Sequence, residues 1–309
     1  MNLNQKEKQA IGQALIKLQG AKGMNQAQFA RSVGLNSADL SNIRHENWVK
    51  NAQLIGDSKW IRIARIVGFT RNDEMRWKTA ETSMKQFIDR QLSVCQQYHF
   101  TSILVDDAGT GKTFACKNYA HQRPHVYYID CSNSRQRGRF VKALAKAVGV
   151  DGVSNGIDDL MEEAIYAIQL TENPLIILDE AGDLADSAFL ELKRLYNNLE
   201  GICGFYVVGA DGLRRKIEKN IAREKVGWTE IFSRMGKRSS KHVAGGPDDK
   251  RQIMNEMAVS IISANGITQD SEIRSIMKMV NRNGQMDLRT VSREVIKYKT
   301  KQPVPCLES

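Results

Sequence analysis

The stretch Ser102-Ile103-Leu104-Val105-Asp106-Asp107-Ala108-Gly109-Thr110-Gly111-Lys112-Thr113 narrows what this chain can fold into more than any other segment. A short β-branched and aliphatic run breaks into a glycine-containing loop that ends in Gly-Lys-Thr. Such a strand delivers the chain to a turn in which Gly109 and Gly111 let backbone N–H groups approach an anion, and the helix that follows points its positive end at the same place. The segment reads as a phosphate cradle for a nucleotide, with Lys112 to neutralise the β- and γ-phosphates and Thr113 to hold Mg2+ through its hydroxyl. One letter departs from the usual pattern, which opens with Gly where this chain has Asp106. An ordinary strand-turn-helix shares the outline, so a partner motif has to decide.

That partner lies at Asn173-Pro174-Leu175-Ile176-Ile177-Leu178-Asp179-Glu180, a continuous apolar run closed by two carboxylates. A parallel strand buried on both faces is unbroken Leu and Ile, and ligands gather at the carboxyl ends of such strands. There Asp179 is placed to bind Mg2+ and Glu180 to polarise the water that attacks the γ-phosphate. Runs at 126–130 and 203–209 read as two more strands, and helical patterns cover 114–121, 139–148, 157–169 and 188–199. The order is β-α-β-α-α-β-α-β with right-handed crossovers, an α/β parallel sheet flanked by helices. A further helical segment at 212–221 and helical patterns at 248–264, 271–281 and 288–298 complete the chain.

Length and charge say how many jobs the chain holds. Its 309 residues leave room beyond one domain, and 41% hydrophobic residues suffice for a buried core. Residues 1–80 carry a net +7, residues 81–210 a net −5 and residues 211–309 a net +8. Basic ends around an acidic middle suit a protein that meets a polyanion with separate surfaces. The five cysteines lack CxxC or His spacing, which argues against a disulfide framework and a zinc site. The N-terminus lacks a signal-peptide stretch and no run reaches membrane-spanning length, so the expected location is the cytoplasm, of a bacterium or phage-infected host.

Residues 25–43 describe two short helices around a tight turn, with apolar or small residues at Phe29, Ala30, Val33, Leu35, Leu40 and Ile43. Ala30 is small where the helices cross, Gly34 can end the first helix in the left-handed conformation, and Asn36 or Ser37 can cap the second. The pattern resembles the helix-turn-helix of phage-repressor-like DNA-binding domains. Its second helix would offer Ser37, Asp39, Ser41, Asn42 and Arg44 to a major groove or its flanking phosphates. Helical patterns at 6–18 and 59–67 would support it, and a small bundle for protein contacts is the alternative.

Together these residues resemble the AAA+ ATPases of the phage Mu transposition B and transposon target-selection family. The resemblance runs through Lys78–Thr82, the Asp107–Thr113 loop, Asp179-Glu180-Ala181, Gly204–Gly209 and Ile231-Phe232-Ser233-Arg234-Met235-Gly236-Lys237-Arg238. It implies an AAA+ P-loop core over 81–244, a helical lid over 245–300, a helix-turn-helix domain over 1–70, a linker at 71–80 and a flexible tail at 301–309. Asp107, Ala108, Gly109, Thr110, Gly111, Lys112, Thr113, Phe114 and Asp179 would hold ATP, and Thr113 and Asp179 its Mg2+. Glu180 would activate water. Arg234 would reach into a neighbouring subunit's nucleotide, with Lys237 or Arg238 as alternatives. Arg289 matches the lid arginine that senses the γ-phosphate. The strand-end polar sensor, commonly Asn, is missing, and Asp211 is its nearest substitute.

After the second strand, Arg135, Arg137 and Arg139 alternate along a loop, with Lys142 and Lys146 one and two turns into the next helix. These could face a DNA backbone or be ordinary surface charge at a helix start. In the family this region lines the inside of a helical filament on duplex DNA. The resemblance therefore implies a slow, largely nonspecific DNA-binding ATPase that oligomerises on double-stranded DNA and recruits or activates a transposase. A helicase loader or replication initiator, and a transcriptional regulator with nucleotide-tuned DNA binding, are the alternative readings.

Overall fold

The computed structural model describes residues 3–51, 54–69, 77–150, 156–235, 239–242, 245–281 and 286–301. Most of the expected linker, Lys237, Arg238 and the tail beyond residue 301 lie outside the described residues. The described chain groups into two compact units. One draws on Met1–Arg71, Gln91–Val105 and Cys116–Ser240, the other on Asn72–Arg90, Asp106–Ala115 and Lys241–Ser309.

The first unit opens with five helices, α1 (Gln5–Lys22), α2 (Gln26–Ser32), α3 (Ser37–Arg44), α4 (Asn47–Lys50) and α5 (Asp57–Val67). Each of the first three starts on an asparagine, Asn4, Asn25 or Asn36, whose side chain accepts a backbone N–H that the helix leaves unpaired. Ile11, Leu15, Phe29, Ala30, Leu40, Ile43, Trp60 and Ile63 close a common core, and Trp48 meets Trp60 edge to face at 4.9 Å. Fully burying each large side chain contributes roughly 1.5–3 kcal/mol.

Four parallel strands form the sheet: β1 (Thr101–Val105), β2 (Val126–Asp130), β3 (Leu175–Asp179) and β4 (Gly204–Gly209), in the spatial order β1-β4-β3-β2. β3 and β4 are buried at every position, as unbroken apolar runs require. The edge of β1 is met near its end, where Ser240 exchanges hydrogen bonds with Ile103 and Val105. Between the strands lie α7 (Lys112–Gln122), α8 (Arg137–Val148), α9 (Ile157–Gln169) and α10 (Asp186–Leu199), and after β4 follow α11 (Asp211–Ala222) and α12 (Trp228–Arg234). Phe189 of α10 stacks on Trp228 of α12 at 4.2 Å. Helix α6 (Ser83–Tyr98) precedes β1. No helix expected from the sequence covers these residues, although its buried Met84, Ile88, Leu92 and Cys95 recur at helical spacing. α7 and α8 begin two residues earlier than the apolar pattern suggests, which puts Lys112, Thr113 and Arg137 inside first turns.

The N-terminal bundle is packed on the core of its own unit. Lys22 donates from Nζ to the carbonyl of Ala120 at the end of α7, and Arg31 Nε donates to the carbonyl of Gly149 just past α8, at 2.7 Å. His125 sets its ring between the carbonyls of Glu172 (2.6 Å) and Gly23 (3.3 Å). Carbonyls at helix C-termini are the negative ends of the helix dipoles, so cations suit them. Cys95, Cys116, Cys131 and Cys203 are buried and form no disulfide among the described residues, and burial pushes the Cys95 thiol up to about 12.

In the second unit α13 (Pro247–Ala264), α14 (Asp270–Val280) and α15 (Leu288–Lys301) bury Met257, Ile262, Ile276, Val280, Val291 and Val295. Asn265 ties them to the segment before α6, accepting from Lys78 N (3.1 Å) and donating to its carbonyl (3.2 Å). Among the described residues no helix is long and apolar enough to cross a membrane.

Candidate functional site

In a parallel sheet the carboxyl ends of all strands share one edge, and here that edge carries Val105, Asp130, Asp179 and Gly209. The loop that leaves β1 belongs to the second unit. Gly109 and Gly111 take φ of +78° and +94° there, and a Cβ on Gly109 would sit 2.5 Å from the Asp287 carboxyl. An L side chain would be both strained and crowded at that position. Gly109 accepts from the Leu288 amide at 3.0 Å, and the Thr110 hydroxyl donates to the Asp107 carbonyl at 3.0 Å. Lys112 is buried and donates from Nζ to the carbonyls of Asp106 (2.8 Å) and Asp107 (2.6 Å). The Asp107 carboxylate pairs with Lys250 at 2.8 Å, and that hydrogen bond holds it below the usual carboxylate range. Ala108 and Phe114 are exposed, and Thr113 is half-buried.

Asp106 has structural work of its own. It is buried, its Oδ1 accepts from the Asp107 amide at 2.7 Å and its Oδ2 from the His242 amide at 2.8 Å. Glycine could do neither. Arg289 is exposed one residue into α15, its amide bonded to Asp287.

The first unit carries the acidic residues. Asp179 is 2% exposed, with Oδ1 accepting from the Glu180 amide (3.0 Å) and Oδ2 from the Tyr128 hydroxyl (2.7 Å). Glu180 sits in the left-handed region at φ 52°, a conformation that non-glycine residues adopt at a cost and that clusters at functional sites. Asp130, the cross-strand neighbour of Asp179, is used up by its own turn. Burial pushes its carboxyl up, but hydrogen bonds from Ser132 and Asn133 outweigh that and hold it below the usual range. Asp211 opens α11 and forms ion pairs with Arg214 (3.3 Å) and Arg215 (3.9 Å) of the same helix. The Arg234 guanidinium lies 5.6 Å over the Tyr196 ring, and its buried Nη1 has no hydrogen-bond partner among the described residues.

The candidate DNA contacts divide sharply. Arg135 pairs with Asp183 at 3.0 Å, and Arg137 is clamped by Glu191 and Asp158. Arg139, Lys142 and Lys146 are exposed along one face of α8 and have no ion-pair partner among the described residues. In α3, Ser37 is exposed and Ser41 and Asn42 are half-buried, while Arg44 is held by Gln26 (3.2 Å) and Gln19 (2.6 Å). Asp39 corrects the sequence expectation: it is buried, closes the α3 capping box with Asn36 and pairs with Lys59 at 2.8 Å, so it faces the bundle and not a groove. Tyr128 escapes sequence reasoning altogether, since a tyrosine in an apolar strand carries no signal beyond its β-propensity.

Each unit by itself carries a part that suits a magnesium nucleotide: the loop after β1 has two glycines at positive φ and a lysine that donates to loop carbonyls, and the first unit has an aspartate whose two oxygens are held by separate donors. Among the described residues no group of three or more His, Cys, Asp or Glu side chains could hold a metal alone, so Mg2+ here would take most of its ligands from phosphate and water.

An AAA domain model matches residues 101–217. The chain is 24% identical over 269 residues to the Mu-like prophage FluMu DNA transposition protein B of Haemophilus influenzae, covering 84% of this chain and 87% of that protein. Among solved structures it is similar to the Aeropyrum pernix ORC1 protein in complex with DNA, with a TM-score of 0.51 and 12% identity, over 75% of this chain and 64% of that one. The latter likeness is one of fold.

Proposed function

We propose, from the premise that this chain is an AAA+ P-loop protein of the transposition B kind, that it is an ATPase that assembles on double-stranded DNA and recruits or activates a transposase. The observation that carries the reading is the loop after β1, where a buried lysine donates to loop carbonyls beside two glycines at positive φ. ATP would be the phosphoryl donor, and the chemistry that Mg2+ would supply when bound is screening of the phosphate charge. With nucleotide bound, Lys112 would exchange the carbonyls of Asp106 and Asp107 for phosphate oxygens and the N–H groups of residues 107–114 would face the anion, while Thr113 of the second unit and Asp179 of the first are the residues that would hold the metal. Glu180 orients the attacking water. Asp211 is engaged by its own helix, so the strand-end sensor role is weakly filled, which suits slow turnover. Arg289, exposed at the start of α15, is the candidate for contact with the γ-phosphate.

Arg234 supports assembly. The residue is only partly buried and its Nη1 has no hydrogen-bond partner among the described residues, so the side chain has donors to turn toward a neighbouring subunit's nucleotide, and an arginine supplied in trans couples turnover to oligomerisation. Grip on DNA falls to Arg139, Lys142 and Lys146, with Ser37, Ser41 and Asn42 of α3 as a second surface. Both would be largely sequence-independent and salt-sensitive.

Electron microscopy with random-sequence duplex DNA and ATP, ADP or no nucleotide tests the reading. ATP-dependent filaments are expected, and discrete complexes on one sequence alone would sink it. Lys112→Ala is expected to lose nucleotide binding and assembly together. Arg234→Ala is expected to bind ATP yet lose DNA-stimulated hydrolysis, and normal turnover in the DNA-bound oligomer would remove it from the intersubunit role.

A further inference from the structure

We infer that Tyr128 is a positioning residue for Mg2+, acting through Asp179; this rests on the nucleotide reading above. Asp179 is almost fully buried, and the Tyr128 hydroxyl at 2.7 Å is the side-chain donor on its Oδ2. The other oxygen is fixed by the Glu180 amide at 3.0 Å, and the Asp179 carbonyl accepts from Cys131 N at 2.9 Å. The carboxylate therefore cannot rotate without breaking a bond at one end or the other, and its remaining lone pairs keep a fixed direction. The tyrosine comes from β2, paired in register with Ile177 of β3, which places it on the same face of the sheet as Asp179, two residues on. Its ring is pinned in turn, because the Lys117 ammonium of α7 lies 5.5 Å from the ring centroid.

Donors that orient a metal-binding carboxylate set metal affinity nearly as strongly as the ligands do. The neighbouring acid shows that the arrangement is selective. Asp130 spends its oxygens on Ser132 and Asn133, whereas Asp179 receives one hydroxyl and one amide and keeps acceptor capacity. Tyr128 and Asp179 are thus a pair, and Asp130 is turn structure.

The test uses the full chain and a fluorescent ADP analogue, so no turnover is needed. Binding is measured in EDTA and then across a Mg2+ titration for wild type, Tyr128→Phe, Asp179→Asn and the double variant. Tyr128→Phe is expected to keep its magnesium-free affinity within about 2-fold while its Mg2+ midpoint rises about 10-fold. Asp179→Asn is expected to lose the Mg2+-dependent gain, with Tyr128→Phe adding nothing in that background. An unchanged midpoint, an equal fall in magnesium-free affinity, or an additive effect in the Asp179→Asn background would overturn the inference while leaving the nucleotide reading intact. A wild-type chain that binds no nucleotide would overturn both.

Discussion

At the scale of single residues, Asp106 is the departure that the structure explains best. Its carboxylate accepts two backbone N–H groups, those of Asp107 and His242, in a buried position. Asp106→Gly, which restores the commoner letter, leaves those donors unpaired and is expected to destabilise the chain by about 1–3 kcal/mol in urea melts, with nucleotide binding retained. Glu180 carries the opposite trade. At φ 52° its Cβ is strained, so Glu180→Gly is expected to raise stability by about 1 kcal/mol while hydrolysis falls about 100-fold or more. Glu180→Gln should keep the strain, bind ATP and lose turnover. A glycine variant that melts lower than wild type would show that the left-handed backbone is not strained.

Among the elements, α8 presents two kinds of cation on one helix. Arg137 is built into the fold through Glu191 and Asp158, while Arg139, Lys142 and Lys146 project from the face opposite Phe140, Val141, Leu144 and Val148. Replacing the three exposed residues by Ala is expected to reduce the slope of log K against log salt for duplex DNA by about 3, one for each phosphate that is no longer neutralised. Arg137→Ala is expected to leave that slope unchanged and lower stability instead, because Glu191 would be buried without its partner. Fluorescence anisotropy at several salt concentrations, with melts alongside, separates the two.

For the molecule as a whole, the docking of the N-terminal bundle on its core is the interaction with a pH signature. Half-buried Lys22 donates to the carbonyl of Ala120, and burial pulls its ammonium down to about 8. A lysine whose folded value lies below its unfolded one binds fewer protons when folded. Its contribution is therefore unfavourable below pH 8 and is relieved as pH rises toward 10.5. Wild-type protein is expected to gain stability across that window relative to Lys22→Met, in which the rise should be absent. Parallel melting curves for the two would reject the assignment.

What the sequence by itself determined was local. An unbroken Leu and Ile run marked β3 and an apolar Phe, Tyr and Val run marked β4, helical spacing marked α8, α9 and α10, and glycines at fixed offsets marked the loop after β1, because each signal lies within a few residues. Only the tertiary structure decided the order β1-β4-β3-β2 and which charges are spent inside the molecule. Arg137 meets Glu191 54 positions away, and Tyr128 meets Asp179 51 positions away. Asp39, polar in a helix that looked exposed, turned inward because Asn36 and Lys59 were there to satisfy it. Periodicity reports which face of an element is apolar. Which polar group is paired depends on elements brought together by the fold, and a charge that finds a partner there is no longer available to a ligand.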